Sequence, residues 1–372
     1  MRSAGCGVGA GARCAPNGAA LGHDPVACIV PPDLLRRIVR IGSAQSREAA
    51  LETLALDLTF RQERAVQTTL TRKPSARARA ARAAAAPQGR PNRIVYDQKN
   101  EESTALKNVV RREGDRPVAD GAVNEAYDGF GATYRLWWEI YRRDSIDGAG
   151  LPLIGLVHFG NAYDNAFWDG EGHMVFGDGD GEMFTRLTRS LDVIGHELAH
   201  GVTQYTAKLA YSGQSGALNE SVSDVFGSLV KQYALGQTAD QADWLIGADV
   251  VGPELAPALR SMKAPGTANK YDSQPADMEH YVVTTSDNGG VHTNSGIPNK
   301  AFEVCATTLG GTAWDRAGRI WYEALTGGAV KRTSTFRTFA RATVAAAGRL
   351  YGATSAEADA VKAGWDTVKV KR

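Results

Sequence analysis

Apolar residues recur at helical spacing in two stretches near the N-terminus, and they predict two short helices. Asp33 follows Pro31-Pro32 and is suited to cap the first helix. The apolar side of that helix comprises Leu34, Leu35, Ile38 and Val39. The second helix is predicted from about Ser46 to Phe60, and its apolar side comprises Ala50, Leu51, Leu54, Ala55 and Leu58. Two such helices bury little surface by themselves, so we expect them to dock on a larger body.

From residue 94 the pattern predicts a strand-rich half followed by a helical half. Residues 120–143 predict a helix whose buried side is Val123, Tyr127, Phe130, Tyr134, Trp137, Trp138 and Tyr141. Leu151 to Phe159 predicts a buried strand, and residues 162–184 predict short strands joined by tight turns, including one at Asp178–Gly181. After residue 190 the chain is mostly helical. The predicted fold class is therefore α+β, with two lobes and a cleft between them.

Charge divides the 372-residue chain into a basic extension and an acidic body. Residues 1–93 carry 15 Lys and Arg against 6 Asp and Glu, whereas residues 94–372 carry 27 against 35. The two parts should attract each other. A basic extension can also bind nucleic acid, but no recognised nucleic-acid module accompanies it, so no such partner is expected. No apolar run approaches the ~18 residues of a membrane span.

Two segments of the extension lack the pattern of a packed domain. Residues 1–27 are rich in Gly and Ala without a compact apolar block, so we interpret them as a disordered leader or a misassigned start, without a signal peptide. That absence predicts either a cytoplasmic protein or secretion by a non-standard route. Residues 72–93 hold Ala/Arg repeats flanked by Pro and Gly, which indicates an exposed linker. It is either an ordinary interdomain linker or the site of a maturation cleavage.

His196-Glu197-Leu198-Ala199-His200 is a candidate metal-binding motif. Two histidines four residues apart lie on one face of a helix and can bind one Zn²⁺, while Glu197 can act on a water at the metal. Glu220 is a candidate third ligand, and Asp224 can hydrogen-bond the outer nitrogen of a ligand histidine. Asp287 and His292 lie on a Gly-rich turn, so that pair can orient an imidazole toward an oxyanion.

The chain from about Arg93 onward resembles the thermolysin-like neutral zinc metalloendopeptidases, in which a glutamate is the third zinc ligand. The motifs that carry the resemblance are Asn165-Ala166-Phe167-Trp168, His196–His200, Asn219–Asp224 and Gly289–Gly296. The resemblance implies that His196, His200 and Glu220 bind one zinc ion and that Glu197 is the general base. It also implies that Tyr211 and His292 stabilise the tetrahedral intermediate, with Asp287 orienting His292.

The same resemblance assigns residues to substrate binding. Asn165 and the backbone of Ala166 would pair with an extended substrate, and Arg260 would bind a substrate carbonyl. The residues matching the pocket for the side chain after the cleaved bond are Phe184, Leu187, Val193 and Leu259. These implied roles favour a peptide substrate with a bulky apolar residue at that position. A catalytically silent zinc protein is disfavoured because Glu197 and His292 are both present.

Two features depart from the secreted members of that family. Where calcium-rich members place acidic ligands, this chain has Lys231, Leu245 and Ala248 beside Asp192 and Asp243, so we predict that the double calcium site is absent. The extension is short, and Cys28-Ile29-Val30-Pro31-Pro32 resembles the start of the pro-segments of the protealysin-like branch. A Cys28 thiolate can ligate zinc; alternatively Cys28 is a buried apolar residue, or its neighbours block the site.

These observations predict a zymogen that acts on peptides or proteins, a monomer whose own pro-segment is its partner in cis. Its parts are the leader 1–27, a helical inhibitory segment 28–71, the linker 72–93 with its maturation cleavage, a strand-rich catalytic lobe 94–205 and a helical catalytic lobe 206–372.

Overall fold

The structure is a computed structural model that describes residues 27–70 and 89–372, with side chains given from Cys28 to Phe60 and from residue 89 onward. Most of the leader and of the linker expected from the sequence lie outside these residues. The described part combines a mixed sheet with a helical half and an N-terminal helical segment, which confirms the α+β class.

Helices α1 (Pro32–Ile41) and α2 (Ala44–Leu70) form the N-terminal segment. The expected cap at Asp33 is wrong, because Pro31 occupies the N-cap position and Pro32 begins the helix. Proline suits the first helical position because it has no N–H to leave unpaired. Asp33 instead lies in the first turn, where its carboxylate accepts hydrogen bonds from Arg36 and Ser286.

Helix α2 is longer than expected, and its docked face differs from the apolar side assigned from the sequence. Leu51 and Leu58 are 54% and 56% exposed, and Ala55 is exposed as well. Thr53 and Asp57 are buried instead. Thr53 Oγ1 accepts the Asp164 N–H and Asp57 accepts from Tyr163 and Asn165, so this face docks by polar contacts that apolar periodicity cannot reveal.

A six-stranded mixed sheet forms the first half of the body. Its strands are β1 (Ala27–Cys28), β2 (Arg93–Asp97), β3 (Val109–Arg112), β4 (Leu153–Val157), β5 (Ala166–Trp168) and β6 (His173–Phe176). Their order is β1-β5-β6-β4-β2-β3, with β2, β4 and β6 parallel to one another. Strand β1 comes from the N-terminal segment and pairs antiparallel with β5. Without β1, strand β5 would be an edge of the sheet.

Helix α3 (Gly121–Arg135) continues into one π-helical stretch, Leu136–Ile140. Together they cover nearly the same residues as the helix expected over residues 120–143. Asp120 caps α3 by accepting the N–H groups of Ala122 and Val123. Its aromatic side chains are core residues, as expected, although Trp138 is only partly buried. The turn expected at Asp178–Gly181 is confirmed, since Asp180 Oδ1 accepts the backbone N–H groups of residues 182–184.

The second half of the body is mostly helical. Its helices are α4 (Leu191–Tyr205), α5 (Gly213–Leu235), α6 (Asp287–Asn294), α7 (Gly296–Leu309), α8 (Ala317–Thr326), α9 (Phe336–Tyr351) and α10 (Ala356–Thr367). A two-stranded sheet of β7 (Leu245–Ile246) and β8 (Arg260–Ser261) lies among them. No helix in the described part of the chain is long and apolar enough to span a bilayer.

Candidate metal centre and its cleft

Helices α4 and α5 carry the candidate metal ligands and pack against each other at glycines. A Cβ on Gly227 would lie 2.3 Å from the carbonyl oxygen of Asp192, and one on Gly195 would lie 3.0 Å from Gly227 Cα. Larger residues would therefore push the two helices apart. This close approach brings His196 and His200 of α4 to Glu220 of α5.

The three side chains converge in the protein interior. His196 Nε2 and His200 Nε2 are 2.9 Å apart, and each lies 3.5 Å from one carboxylate oxygen of Glu220. Among the described residues, they form the one group of three or more His, Cys, Asp and Glu whose ligand atoms all lie within 4.8 Å of one another. Glu220 Oε2 is buried without a hydrogen-bond donor. Two imidazoles and a carboxylate are a donor set that zinc prefers, so these residues fit the ion.

The outer nitrogens of both histidines are held by hydrogen bonds. His196 Nδ1 lies 2.8 Å from Asp224 Oδ1, and His200 Nδ1 lies 2.9 Å from Asn219 Oδ1. Because the Nδ1 atoms donate, both Nε2 lone pairs are directed toward the same point. Asp224 is itself held by Arg260 and Asn299, at 2.8 and 2.8 Å.

Burial and neighbouring charges shift the ligands' pKa values in different directions. Burial lowers the pKa of His200 to about 3, and the adjacent His196 adds to that shift. Burial also disfavours charged His196, but the carboxylates of Asp224 and Glu220 outweigh it and raise its pKa to about 9. The neighbouring imidazoles hold the pKa of Glu220 well below its usual range despite its burial. The site therefore holds an ionised carboxylate beside the histidines.

Glu197 lies between the two histidines and faces strand β5. Its Oε2 accepts the backbone N–H of Trp168 at 3.0 Å, whereas its Oε1 is buried without a hydrogen-bond partner. Burial raises the pKa of this carboxyl group well above its usual range. One oxygen is thus held in place while the other is available to bind a proton.

Helix α6 is kinked where it carries His292. Asn288, Gly289 and Gly290 have φ values of 52°, 88° and 73°, a left-handed stretch that favours glycine. After this kink His292 Nδ1 lies 2.9 Å from Asp287 Oδ1. Burial lowers the pKa of His292, but Asp287 and Glu220 outweigh it and raise that pKa to about 9.

Tyr211 completes this side of the centre. Its hydroxyl donates to Glu220 Oε1 and lies 3.2 Å from His292 Nε2. His292 Nε2 in turn lies 3.4 Å from Glu220 Oε2. The phenol and the imidazole are therefore both next to the candidate metal ligands, where each can donate to an oxyanion.

The N-terminal segment occupies the cleft beside this centre. Cys28 pairs with Phe167 across β1 and β5, and the Ile29 N–H donates to the carbonyl oxygen of Ala166 at 3.2 Å. The Val30 N–H donates to Asn165 Oδ1 at 3.0 Å. The segment thus adds a strand to the exposed edge of the sheet.

Two charged side chains bind the carbonyl groups of the same segment. Arg260 Nη1 donates to the carbonyl oxygen of Ile29 at 2.8 Å. His292 Nε2 lies 2.8 Å from the carbonyl oxygen of Cys28. The residues assigned to substrate binding and to the oxyanion are therefore brought together around the backbone of residues 28–30.

Comparison with known proteins places the chain in a family. The family description "Thermolysin metallopeptidase, catalytic domain" matches residues 79–204, and "Thermolysin metallopeptidase, alpha-helical domain" matches residues 207–370. The chain belongs to the thermolysin-family metallopeptidases. An extracellular metalloprotease of Pectobacterium carotovorum is 46% identical over 93% of this chain and 97% of its own length. Thermolysin of Alicyclobacillus acidocaldarius is 40% identical over 74% of this chain. The matched region covers 50% of the length of that relative.

A solved structure of a precursor is also similar. The precursor of protealysin, a metalloproteinase from Serratia proteamaculans, has 46% sequence identity and a TM-score of 0.82, covering 93% of this chain and 100% of its own. The resemblance to the protealysin-like branch, the assignment as a zinc metalloendopeptidase and the zymogen character are confirmed.

Lys231 lies in the cluster where the sequence predicts that the double calcium site of calcium-rich family members is absent, and that absence stays a prediction. Lys231 Nζ lies 2.9 Å from Asp192 Oδ2, 3.0 Å from Asp243 Oδ1 and 3.0 Å from the carbonyl oxygen of Leu245. Burial lowers the lysine's pKa, but the two carboxylates outweigh it and leave the pKa raised. The ammonium group therefore binds the oxygen atoms of this cluster itself.

Three polar residues that support the site have no role among those predicted from the sequence. Asn219 directly precedes Glu220, so its place in the motif was a usable signal for contact with His200. Asn299 and Asp57 reach the centre from 75 and 108 residues away, to Asp224 and Asn165 respectively. No local pattern marks contacts of that separation.

Proposed function

We propose that this metalloendopeptidase is held latent by its own residues 28–71, whose first residues lie in the substrate cleft, until a cut within residues 72–93 releases the segment. The observation that carries the proposal is the backbone of residues 28–30. Two consecutive peptide groups of that stretch are bound through both their C=O and their N–H, by His292 and Ala166 and by Arg260 and Asn165. A substrate needs the same edge of β5, so the docked segment excludes it.

His196, His200 and Glu220 would hold the catalytic ion. A zinc ion bound there would polarise the scissile carbonyl group and increase the acidity of a water molecule. Glu197 is the general base: its Oε1 takes a proton from the attacking water and later passes it to the leaving nitrogen. The Trp168 N–H on Oε2 keeps this carboxylate oriented toward the peptide.

His292 and Tyr211 stabilise the carbonyl oxygen as negative charge develops on it. The contact of His292 Nε2 with the Cys28 carbonyl oxygen marks where that oxygen lies. Asp287 supports the proton on His292 by accepting from Nδ1. Such donors are aimed before the reaction starts, so they need no reorganisation during it.

An apolar pocket sets the preference for a bulky apolar residue after the scissile bond. The residues assigned to it are almost fully buried and belong to one apolar cluster with Ile29: Phe184, Leu187, Val193 and Leu259. A charged side chain in this position would lose its hydration without a partner.

We further propose that the backbone of the pro-segment, and not the Cys28 thiol, blocks the centre. Cys28 is 1% exposed and packs in an apolar cluster with Leu156, Phe159 and Phe167. Its thiol donates to the carbonyl oxygen of Val30, with 3.7 Å between the sulfur and the oxygen. Cys28→Ser should therefore leave the latency of the precursor unchanged, and a thiolate block would instead make this variant active before processing.

The protease assignment is tested with the processed protein and a quenched peptide that has Leu after the scissile bond. Cleavage should require zinc, stop with a chelator and be lost in Glu197→Gln, whose zinc content should match that of the unchanged protein. A peptide with Asp in place of Leu is the matched control. A processed protein that binds zinc but cleaves neither peptide would overturn the proposal.

A further inference from the structure

The pro-segment lies in the cleft in the direction and register of a substrate. Under the proposed roles, His292 binds the carbonyl group before the scissile bond and Arg260 binds the next one. In the structure these two carbonyl groups belong to Cys28 and Ile29. Because the contacts fall on successive residues, the bond between Cys28 and Ile29 occupies the position of the bond to be cleaved.

The side chains lead to the same register. Ile29 is fully buried. It is a bulky apolar residue and lies directly after the bond in question. A bulky apolar residue thus follows the carbonyl group that His292 contacts, as the proposed pocket preference requires.

The proposed general base is anchored to β5, the strand that pairs with this segment. Glu197 Oε2 is bound to the N–H of Trp168, and Trp168 is the β5 residue that pairs with Ala27. Glu197 Oε1, which has no hydrogen-bond partner, is the oxygen that the proposed role assigns to proton transfer. The contacts of His292 and Arg260 identify the Cys28–Ile29 bond, and the buried Ile29 side chain agrees with that position.

We propose that the Cys28–Ile29 bond is a cleavage site for the chain's own active centre. Water adds to the carbonyl carbon of Cys28, the C–N bond breaks, and the proton taken by Glu197 passes to the nitrogen of Ile29. The products are a carboxylate on Cys28 and an amino group on Ile29, so residues 1–28 leave. This inference rests on the proposed function.

Removal of residues 1–28 by this cut would not activate the enzyme. Residues after Ile29 remain attached and keep their contacts with the body, among them Asp57 with Tyr163 and Asn165. Ser43 and Ser46 also donate to Glu182. The trimmed chain is therefore a latent form that begins at Ile29 and still needs the cut in residues 72–93.

The test uses the full chain purified with zinc and followed by intact mass and N-terminal peptide mapping. The expected product loses residues 1–28 at a rate independent of protein concentration, and Glu197→Gln stays intact. Ile29→Asp should slow the cut roughly tenfold or more, because the pocket rejects the charge. Leu51→Asp is the matched control: Leu51 is exposed on α2, so the cut should be unaffected.

A second readout does not depend on catalysis. In the full-length Glu197→Gln chain treated with a zinc chelator, hydrogen exchange should show protected amides at Ile29 and Val30, and Ile29→Asp should lose that protection. Unprotected amides in the starting chain would overturn the register. If processed protein cleaves the external peptide but the full chain stays intact at Cys28–Ile29, this inference fails and the proposed function stands. If neither is cleaved, both fail.

Discussion

Replacing Lys231 with methionine should destabilise the body by leaving Asp192 buried without its cation. Methionine keeps the length and apolar stem of the lysine, so the change removes the ammonium group with little change in packing. The Asp192 side chain is fully buried. After the change it would retain two donors, the Ser190 hydroxyl and the Gly247 N–H.

The expected loss of unfolding free energy follows from the unequal burial of the Asp192 and Asp243 carboxylates. Removing one partner of a buried ion pair costs about 3–5 kcal/mol. The two remaining donors to Asp192 place the loss near the lower end, at about 3 kcal/mol. Asp243 is 47% exposed, so its pairing with Lys231 contributes at most about 1 kcal/mol. Asp243→Asn is therefore the matched control.

The assay is urea unfolding followed by tryptophan fluorescence, in a Glu197→Gln background to prevent self-digestion. Lys231→Met should lower the unfolding free energy by about 3 kcal/mol, and Asp243→Asn by no more than about 1 kcal/mol. Equal, small effects of the two variants would refute the argument that the lysine neutralises a buried carboxylate. Millimolar Ca²⁺ should leave the unfolding midpoint of the unchanged chain where it is, because the lysine already binds these oxygen atoms.

Three further predictions concern catalysis, latency and pH. His292→Ala should lower kcat of the processed enzyme roughly 10²- to 10³-fold with unchanged zinc content, and an unchanged kcat would remove it from the mechanism. Asp57→Ala should raise the peptide cleavage of the uncut precursor roughly tenfold, since Tyr163 and Asn165 lose their acceptor; equal latency would contradict this. Burial and Asp180 raise the pKa of Asp164 to about 8. An acid with a raised pKa stabilises the fold at low pH and loses that contribution as the pH rises toward 8. The unfolding free energy of the unchanged chain should therefore fall between about pH 4 and pH 8 relative to Asp164→Asn, and parallel pH profiles would contradict the shift.

Local sequence was sufficient for several features that one helix or turn carries, although it misplaced the cap of α1 at Asp33. His196 and His200 are four residues apart on α4, so helical geometry alone puts them on one face. The aromatic side of α3 and the turn around Asp180 follow from the same kind of short-range rule. The family motifs then extended these local features to a candidate centre.

Packing decided the features that depend on distant parts of the chain. The polar docked face of α2 differs from its apolar pattern because Asp57 finds Tyr163 and Asn165 more than 100 residues away. Helical periodicity measures apolar burial and does not detect a buried carboxylate with partners.

The sequence by itself determined which residues are candidate metal ligands, the α+β class and the expectation of a docked N-terminal segment. Only the tertiary structure decided that the backbone of residues 28–30 lies along β5 in one register, with the carbonyl of Cys28 at His292. Register depends on pairing between segments about 140 residues apart. Every peptide group offers the same donor and acceptor, so only the packed partners select which ones meet.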